Sequence, residues 1–343
     1  MTVRTSLYAN LLRQEIARRN RSFAHGRAHV ESYGAAPVIV YAPEGGRHGN
    51  FFDAAYAAIT ARPDWMRRFG KVHAQAARSL PKAEPRWREL DSSTSSDALL
   101  MNIFCAPAVM ESSALRATLG IDNDADPAFG WKARVPLANG RFDRTEVDMR
   151  LGSLLVEAKL TERDFQTCAP ATAEHYRDFD TVFDRTLLPR IALPPKRRRE
   201  AAEFPEDYSQ EFESLFAGSE GNRRELEGMA CSIPTPAAQL RREEPGVAGY
   251  ASYQLIRNVL AAYAGQCSFC VLHDARRPDL REEWFSVIAA VQSAQMRTRL
   301  KVLTWQELAA FLPGALQSFL DLKYGIVAPG LTPSPIGESA DSE

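Results

Sequence analysis

Asp148, Glu157 and Lys159 are the residues whose types and spacing are best suited to chemistry in this chain. They fall in the stretch TEVDMRLGSLLVEAKLTE, residues 145–162. Glu157 and Lys159 are two apart in a run that reads as a strand, so both side chains leave the same face. Asp148 lies in the strand before, and a turn near Gly152 brings it across from Glu157. Two carboxylates supply hard oxygen ligands for Mg²⁺, an ion that keeps several waters and demands octahedral geometry. Such an ion polarises a phosphodiester and lowers the pKa of a bound water. An ammonium beside it orients that water or stabilises charge gathering around phosphorus. Among Leu154, Leu155, Val156, Ala158 and Leu160, an idle Glu and Lys would only cost desolvation energy. The plain alternative is a surface hairpin with an ordinary salt bridge, and the apolar setting weighs against it.

The elements that must position these residues are legible from hydrophobic period and turn chemistry. Trp131, Ala133, Val135 and Leu137 alternate with Lys132, Arg134 and Pro136, and Asn139-Gly140 follows, a pair that accepts the positive φ of a tight hairpin. A second strand over 142–150, a turn at Gly152-Ser153 and an apolar third strand over 154–160 complete a three-stranded meander. Helices are expected over 5–20, with Leu7, Leu11, Leu12 and Ile16 on one face, over 51–61, and over 63–80, opened by Pro63 and Asp64. Ser95 or Ser96 caps a further helix that stops before Pro107. After the meander, the pattern gives a helix over 171–188, a charged and proline-rich insertion at 189–245, and a helix over 250–264. A strand over 269–272, a helix over 281–296 and a strand over 300–303 follow. Thr304 and Glu307 form a capping box that opens the next helix. The last strand–helix–strand unit should pair in parallel. The fold class is therefore α/β, a mixed sheet of antiparallel meander plus parallel strands flanked by helices, with an N-terminal helical extension. The domains expected are a basic, mainly helical region 1–94, a main domain 95–327 and a disordered tail 328–343.

The net charge of −1 hides an asymmetry, since residues 1–90 hold 15 Lys and Arg against 7 Asp and Glu. A basic end on a near-neutral chain suits a polyanion. Arg67, Arg68, Lys71 and Arg78, with Trp65 and Trp87 interleaved, are the candidates for phosphate contact, and Lys196 to Arg199 offer another. There is no secretory leader and no apolar run of about eighteen residues, so a cytoplasmic protein without a membrane span is expected. The Cys267–Cys270 pair has no second pair at zinc spacing and reads as two small core residues; His73 and His175 have no partner at metal or triad spacing. Neither a glycine-rich phosphate loop nor a nucleophile motif is present.

Asp148 followed by Glu157-Ala158-Lys159 on the next strand resembles the PD-(D/E)XK nuclease superfamily, and its restriction-endonuclease-like bacterial members in particular. The resemblance spans residues 95–273 and includes SSDALLMNIF at 95–104; Val147-Asp148 stands where the superfamily pattern has Pro-Asp. It implies that Asp148 and Glu157 bind Mg²⁺, with Mn²⁺ able to substitute, and that Lys159 assists the attack. It also implies a DNA endonuclease of restriction or defence type, acting on double-stranded DNA and dimerising to cut both strands. Many members add an acid from the helix before the meander, for which Asp97 and Glu111 are candidates, and Glu146 shares a face with Asp148. Some add a glutamine on a later helix, which Gln254 matches, with Arg257 one helical turn on as a phosphate contact. The competing expectation is a catalytically inactive nucleic-acid- or partner-binding protein on the same scaffold.

Overall fold

Asn139-Gly140 turns the chain back as its chemistry demands: Gly140 has φ 78°, and the Asn139 side chain accepts the Arg141 N–H at 3.0 Å. The turn joins β1 (Pro127–Pro136) to β2 (Phe142–Leu151), which pair antiparallel from Pro136↔Phe142 to Pro127↔Leu151. Gly152, with φ 58°, makes the next turn into β3 (Leu154–Ala158). All five β3 residues are buried, as befits a central strand. β4 (Ser268–His273) and β5 (Leu300–Thr304) extend the sheet in the order β5–β4–β3–β2–β1. β4 runs parallel to both β3 and β5, so the sheet is mixed.

These elements come from a computed structural model that describes residues 2–32, 37–71, 88–122, 125–193 and 248–336. They belong to one compact unit, Met1–Ile191 with Gly249–Glu343; the second, Ala192–Ala248, lies almost wholly outside the described residues. The expected insertion, with Lys196 to Arg199, falls there. Val72, His73, Arg78 and Trp87 also fall outside the described residues.

Helices cover both faces of the sheet. On one, α1 (Thr2–Phe23) and α2 (Ser96–Phe104) send Leu12, Ile16, Leu99, Leu100 and Ile103 into a core with Met149, Val156, Ala158, Cys270 and Leu272. On the other, α3 (Tyr253–Ala264) and α4 (Pro278–Ala289) pack Leu255, Ile256, Val259, Leu280 and Trp284 against Val147, Leu155, Phe269 and Val271. Each such fully buried aliphatic or aromatic side chain is worth about 1.5–3 kcal/mol over leaving it in water. The last helix, α5 (Gly314–Tyr324), joins the first core through Leu316 and Leu320. Ser95 is the cap of α2, its hydroxyl accepting the Ala98 N–H at 3.1 Å, and the Thr304–Glu307 capping box is present. No helix among the described residues is long and apolar enough to cross a membrane.

One departure from strand alternation matters for the site. Phe129, Met149 and Leu151 pack into the first core, whereas Ala133, Val135 and Val147 pack into the second. All six are odd-numbered and should share a face. The two strands therefore exchange faces between Phe129 and Ala133 on β1 and between Met149 and Val147 on β2. Gly130, with φ 62°, supplies the turn at this point. Gly130 and Asp148 lie opposite each other, flanked by the pairs Phe129↔Met149 and Trp131↔Val147.

Several expectations are corrected. Of the helix expected over 63–80, the described part up to Lys71 is a single turn, Pro63–Met66, followed by a 3-10 turn, Arg67–Gly70, and extended backbone at Lys71; residues 72–80 lie outside the described residues. Gly70 breaks the pattern, and the tighter turn buries Trp65 and Phe69 while turning Arg68 away from them. The helix expected over 171–188 is two separate turns, Pro170–Ala173 and Phe179–Val182. Tyr176 and Phe183 there bridge to Leu137 and Val291, and these pairings outweigh local helical preference. On α1, Leu12 and Ile16 are buried but Leu7 and Leu11 are exposed. The helix expected over 281–296 is α4, ending at Ala289, plus a turn at Ala294–Arg297. At the C-terminal end, Ser334, within the tail 328–343 read from the sequence, is tied by its N–H and hydroxyl to Asp321.

Candidate active site

Pairing between β2 and β3 runs Leu151↔Leu154, Arg150↔Leu155, Met149↔Val156 and then stops. Asp148 is next on β2, and its carboxylate takes over the ladder by accepting the Ala158 N–H at 2.8 Å. This leaves Asp148 beside Glu157, at the point where the strands exchange faces. Glu157 is fully buried, and Lys159 is 7% exposed. Their side chains meet at 2.9 Å, Lys159 Nζ to Glu157 Oε1. Lys159 is clamped through its backbone, its N–H donating to Leu272 O at 2.8 Å and its carbonyl accepting the Trp305 indole N–H at 2.9 Å.

α3 completes the arrangement. Gln254 donates to Glu157 Oε1 and accepts from Lys159 Nζ at 2.8 Å, bridging acid and base. One turn on, Asn258 Nδ2 donates to Glu157 Oε2 at 2.8 Å, while its carbonyl oxygen accepts the Thr145 hydroxyl at 3.1 Å. Asn258 was not singled out from the sequence, although Gln254-x-x-x-Asn258 sets two amides on one helical face. Glu162 was missed as well. It accepts the Leu160 N–H at 2.6 Å and the Ser96 hydroxyl, and its charge acts on both Glu157 and Lys159. Arg277, fully buried, holds the chain that leaves β3: it donates to Leu160 O, Glu162 O and Arg163 O and pairs with Asp279 at 2.8 Å.

The charges inside this pocket shift one another. Burial, then the Glu157 and Asp97 carboxylates, pushes the Asp148 pKa well above the carboxylate range. Burial also raises Glu157, against the pull of Lys159. Burial opposes the Lys159 charge, but Glu157, Glu162 and Asp148 outweigh it and hold the ammonium above its ordinary value. The pocket thus gathers carboxyl groups whose ionisation burial opposes and which repel one another when charged.

The other candidates divide into two groups. Asp97, 3% exposed at the start of α2, is held by Arg68 at 2.5 Å and Lys71 at 3.6 Å. Glu146 takes the other side of Arg68 at 2.6 Å, is reached by Lys71 at 3.4 Å and pairs with Lys132. Burial works to raise Glu146, yet Lys132 and Arg68 hold it down at about 2. Arg68 and Lys71, expected to face phosphate, are therefore committed to carboxylates around the site. Arg257 lies off the cluster, 3.7 Å from Asp143. Glu111 and Arg67 are exposed, the former in the turn after α2, and Arg78 lies outside the described residues. Trp65 is a core residue that donates its indole N–H to Pro127 O at 2.9 Å. Cys267 and Cys270 are buried free thiols, Cys270 in the sheet core.

Among the described residues, no three His, Cys, Asp or Glu side chains converge as a ready-made metal cage. What the site offers is a pair of carboxylates, hard oxygen donors that repel each other, with a buried ammonium alongside. No curated protein and no solved structure matches the chain significantly. A family model described as "Restriction Endonuclease associating with ARP" matches residues 10–325, a span that takes in every residue of this cluster, and the chain belongs to that family.

Proposed function

We propose that the chain is a metal-dependent nuclease of the PD-(D/E)XK type that hydrolyses phosphodiester bonds in double-stranded DNA, in restriction or defence. The observation that carries this reading is the burial of Glu157 and Lys159 side by side in a central strand, with Asp148 delivered to them where the β2–β3 ladder opens. Keeping such groups in the interior carries a desolvation cost that a metal site would offset. The family description adds a restriction endonuclease, and an association with ARP. Dimerisation, which would let two copies cut both strands, belongs to the same proposal.

Asp148 and Glu157 would hold Mg²⁺ or Mn²⁺, whose bound state supplies a polarised phosphate and an acidified water. Two protein carboxylates suit an ion that draws its other ligands from water and substrate. Gln254 and Asn258 fix the plane of the Glu157 carboxylate. Lys159, protonated and aimed by Glu157 and Gln254, stabilises charge on the phosphoryl oxygens or orients the attacking water.

Purified protein with Mg²⁺ is expected to nick or linearise plasmid DNA, and Lys159→Ala to abolish this with the fold intact. Cleavage that survives Asp148→Ala and Glu157→Ala together would falsify the assignment. A second reading, an inactive binding protein on the same scaffold, has one observation in its favour: Glu157 is already satisfied by Lys159, Gln254 and Asn258. Mn²⁺ titration separates the two, because binding that disappears in Glu157→Gln belongs to the nuclease alone.

A further inference from the structure

We propose that Arg68 occupies the carboxylate that a second cation would need, so that this pocket takes one divalent ion. The inference rests on the nuclease reading above. Two-metal sites place their ions roughly 3.5–4 Å apart and need carboxylates enough for both. Here Asp97 is the acid on α2 that would serve a second ion together with Asp148, and its charge acts on both Asp148 and Glu157. Arg68 has taken it, with Nη2 at 2.5 Å from Asp97 Oδ2 and Nη1 at 2.6 Å from Glu146 Oε1.

The position of the guanidinium is built into the sheet. It lies over Gly130, where any side-chain carbon would collide with Nη1. Gly130 lies opposite Asp148, between the β1–β2 pairs Phe129↔Met149 and Trp131↔Val147, so Arg68 sits one strand away from the proposed metal ligand at the same level. Gly130, having no side chain and a positive φ, thus leaves room for Arg68 on the strand beside Asp148. Lys71 backs the arrangement by reaching Asp97 and Glu146 as well. Arg68 is 9% exposed and cannot be deprotonated, so it supplies a fixed positive charge that does not exchange with solvent. The lack of three convergent acids among the described residues is the same fact seen from the acids.

Calorimetric titration of the metal-free full chain with Mn²⁺ tests the inference without reference to activity. The wild type is expected to bind one ion. Arg68→Gln, folded by circular dichroism, is expected to bind a second, and Arg68→Gln with Asp97→Asn to return to one. Two ions on the wild type, or a folded Arg68→Gln that still binds one, overturns the inference and leaves the nuclease reading standing. Should Arg68→Gln fail to fold, Asp97→Asn decides: affinity within about twofold of wild type supports the inference, and loss of the ion makes Asp97 its ligand and overturns it. A wild type that binds no Mn²⁺ fails the nuclease reading itself, which is a separate outcome.

Discussion

Glu157 shows how a buried acid is made usable. Its two oxygens are engaged by a lysine two residues away and by two amides from a helix about a hundred positions later in the chain. Asn258 is the more exposing test of this design, because it is fully buried and also receives Thr145. Asn258→Ala removes one donor from Glu157 and orphans a buried hydroxyl, a loss of about 1–3 kcal/mol in stability. Removing an outer partner of a metal-binding group usually costs about 10–100-fold in metal affinity or activity, and a drop of that size in Mn²⁺ affinity is expected here. Unchanged affinity in a folded Asn258→Ala protein would show that Gln254 and Lys159 hold the acid alone. Gly130 poses the complementary question for the backbone. Gly130→Ala must keep φ near 62° and displace Arg68, so a loss of about 1–2 kcal/mol from the backbone alone is expected by thermal denaturation, with more from the broken ion pairs.

At the scale of elements, the site depends on how β3 is entered and left. Entry is set by the Gly152 turn and the pairs from Leu151↔Leu154 to Met149↔Val156; at the exit the ladder opens at Asp148, whose carboxylate takes the Ala158 N–H, and Arg277 gathers three carbonyls from residues 160–163 while pairing with Asp279. Arg277→Ala would leave those carbonyls and a buried carboxylate without a partner, and a loss of about 3–5 kcal/mol is expected in urea titration. Arg277→Lys should recover only part of it, since one ammonium cannot match the spread of the guanidinium; full recovery would argue that charge alone matters. The contrast between what was legible and what was not follows from range. The meander could be read because alternation and Asn139-Gly140 are local signals, and Asp148, Glu157 and Lys159 because polar residues in an apolar strand stand out. Asn258 and Arg277 were invisible as site residues because each is placed by contacts far along the chain, and Glu162 because its turn back onto the Leu160 N–H and its Ser96 contact leave no periodic signal. The stretch 171–188 misled for the converse reason: Tyr176, Phe179 and Phe183 have helical spacing, yet each is buried by partners outside the segment.

Across the whole molecule, the described basic residues of 1–90 are engaged in different places: Arg68 and Lys71 pair with acids beside the site, and Arg19 pairs with Glu15 within α1. The same N-terminal region is fastened to the far end of the chain, where α1 meets α5. At that junction Lys323 is fully buried, with its Nζ 2.5 Å from Asn20 Oδ1 and 4.3 Å from the centre of the Tyr41 ring. Asn20 also donates to Lys323 O at 3.0 Å and receives the Tyr41 hydroxyl, so one amide ties three elements. Burial, followed by the nearby Arg27 charge, drives the Lys323 pKa well below its ordinary value of 10.5. The unfolded chain therefore binds a proton at this lysine that the folded chain gives up, in the window between the lowered value and 10.5. Within that window stability rises with pH. Lys323→Met keeps the length of the side chain and removes the proton. The variant should be more stable than wild type at pH 7, by on the order of 1 kcal/mol or more. The gap should close as the pH approaches 10, read as the difference between the two melting temperatures. Melting curves that stay parallel from pH 7 to 10 would mean that Lys323 keeps its proton in the folded protein, held as an ammonium by Asn20 and the aromatic rings around it.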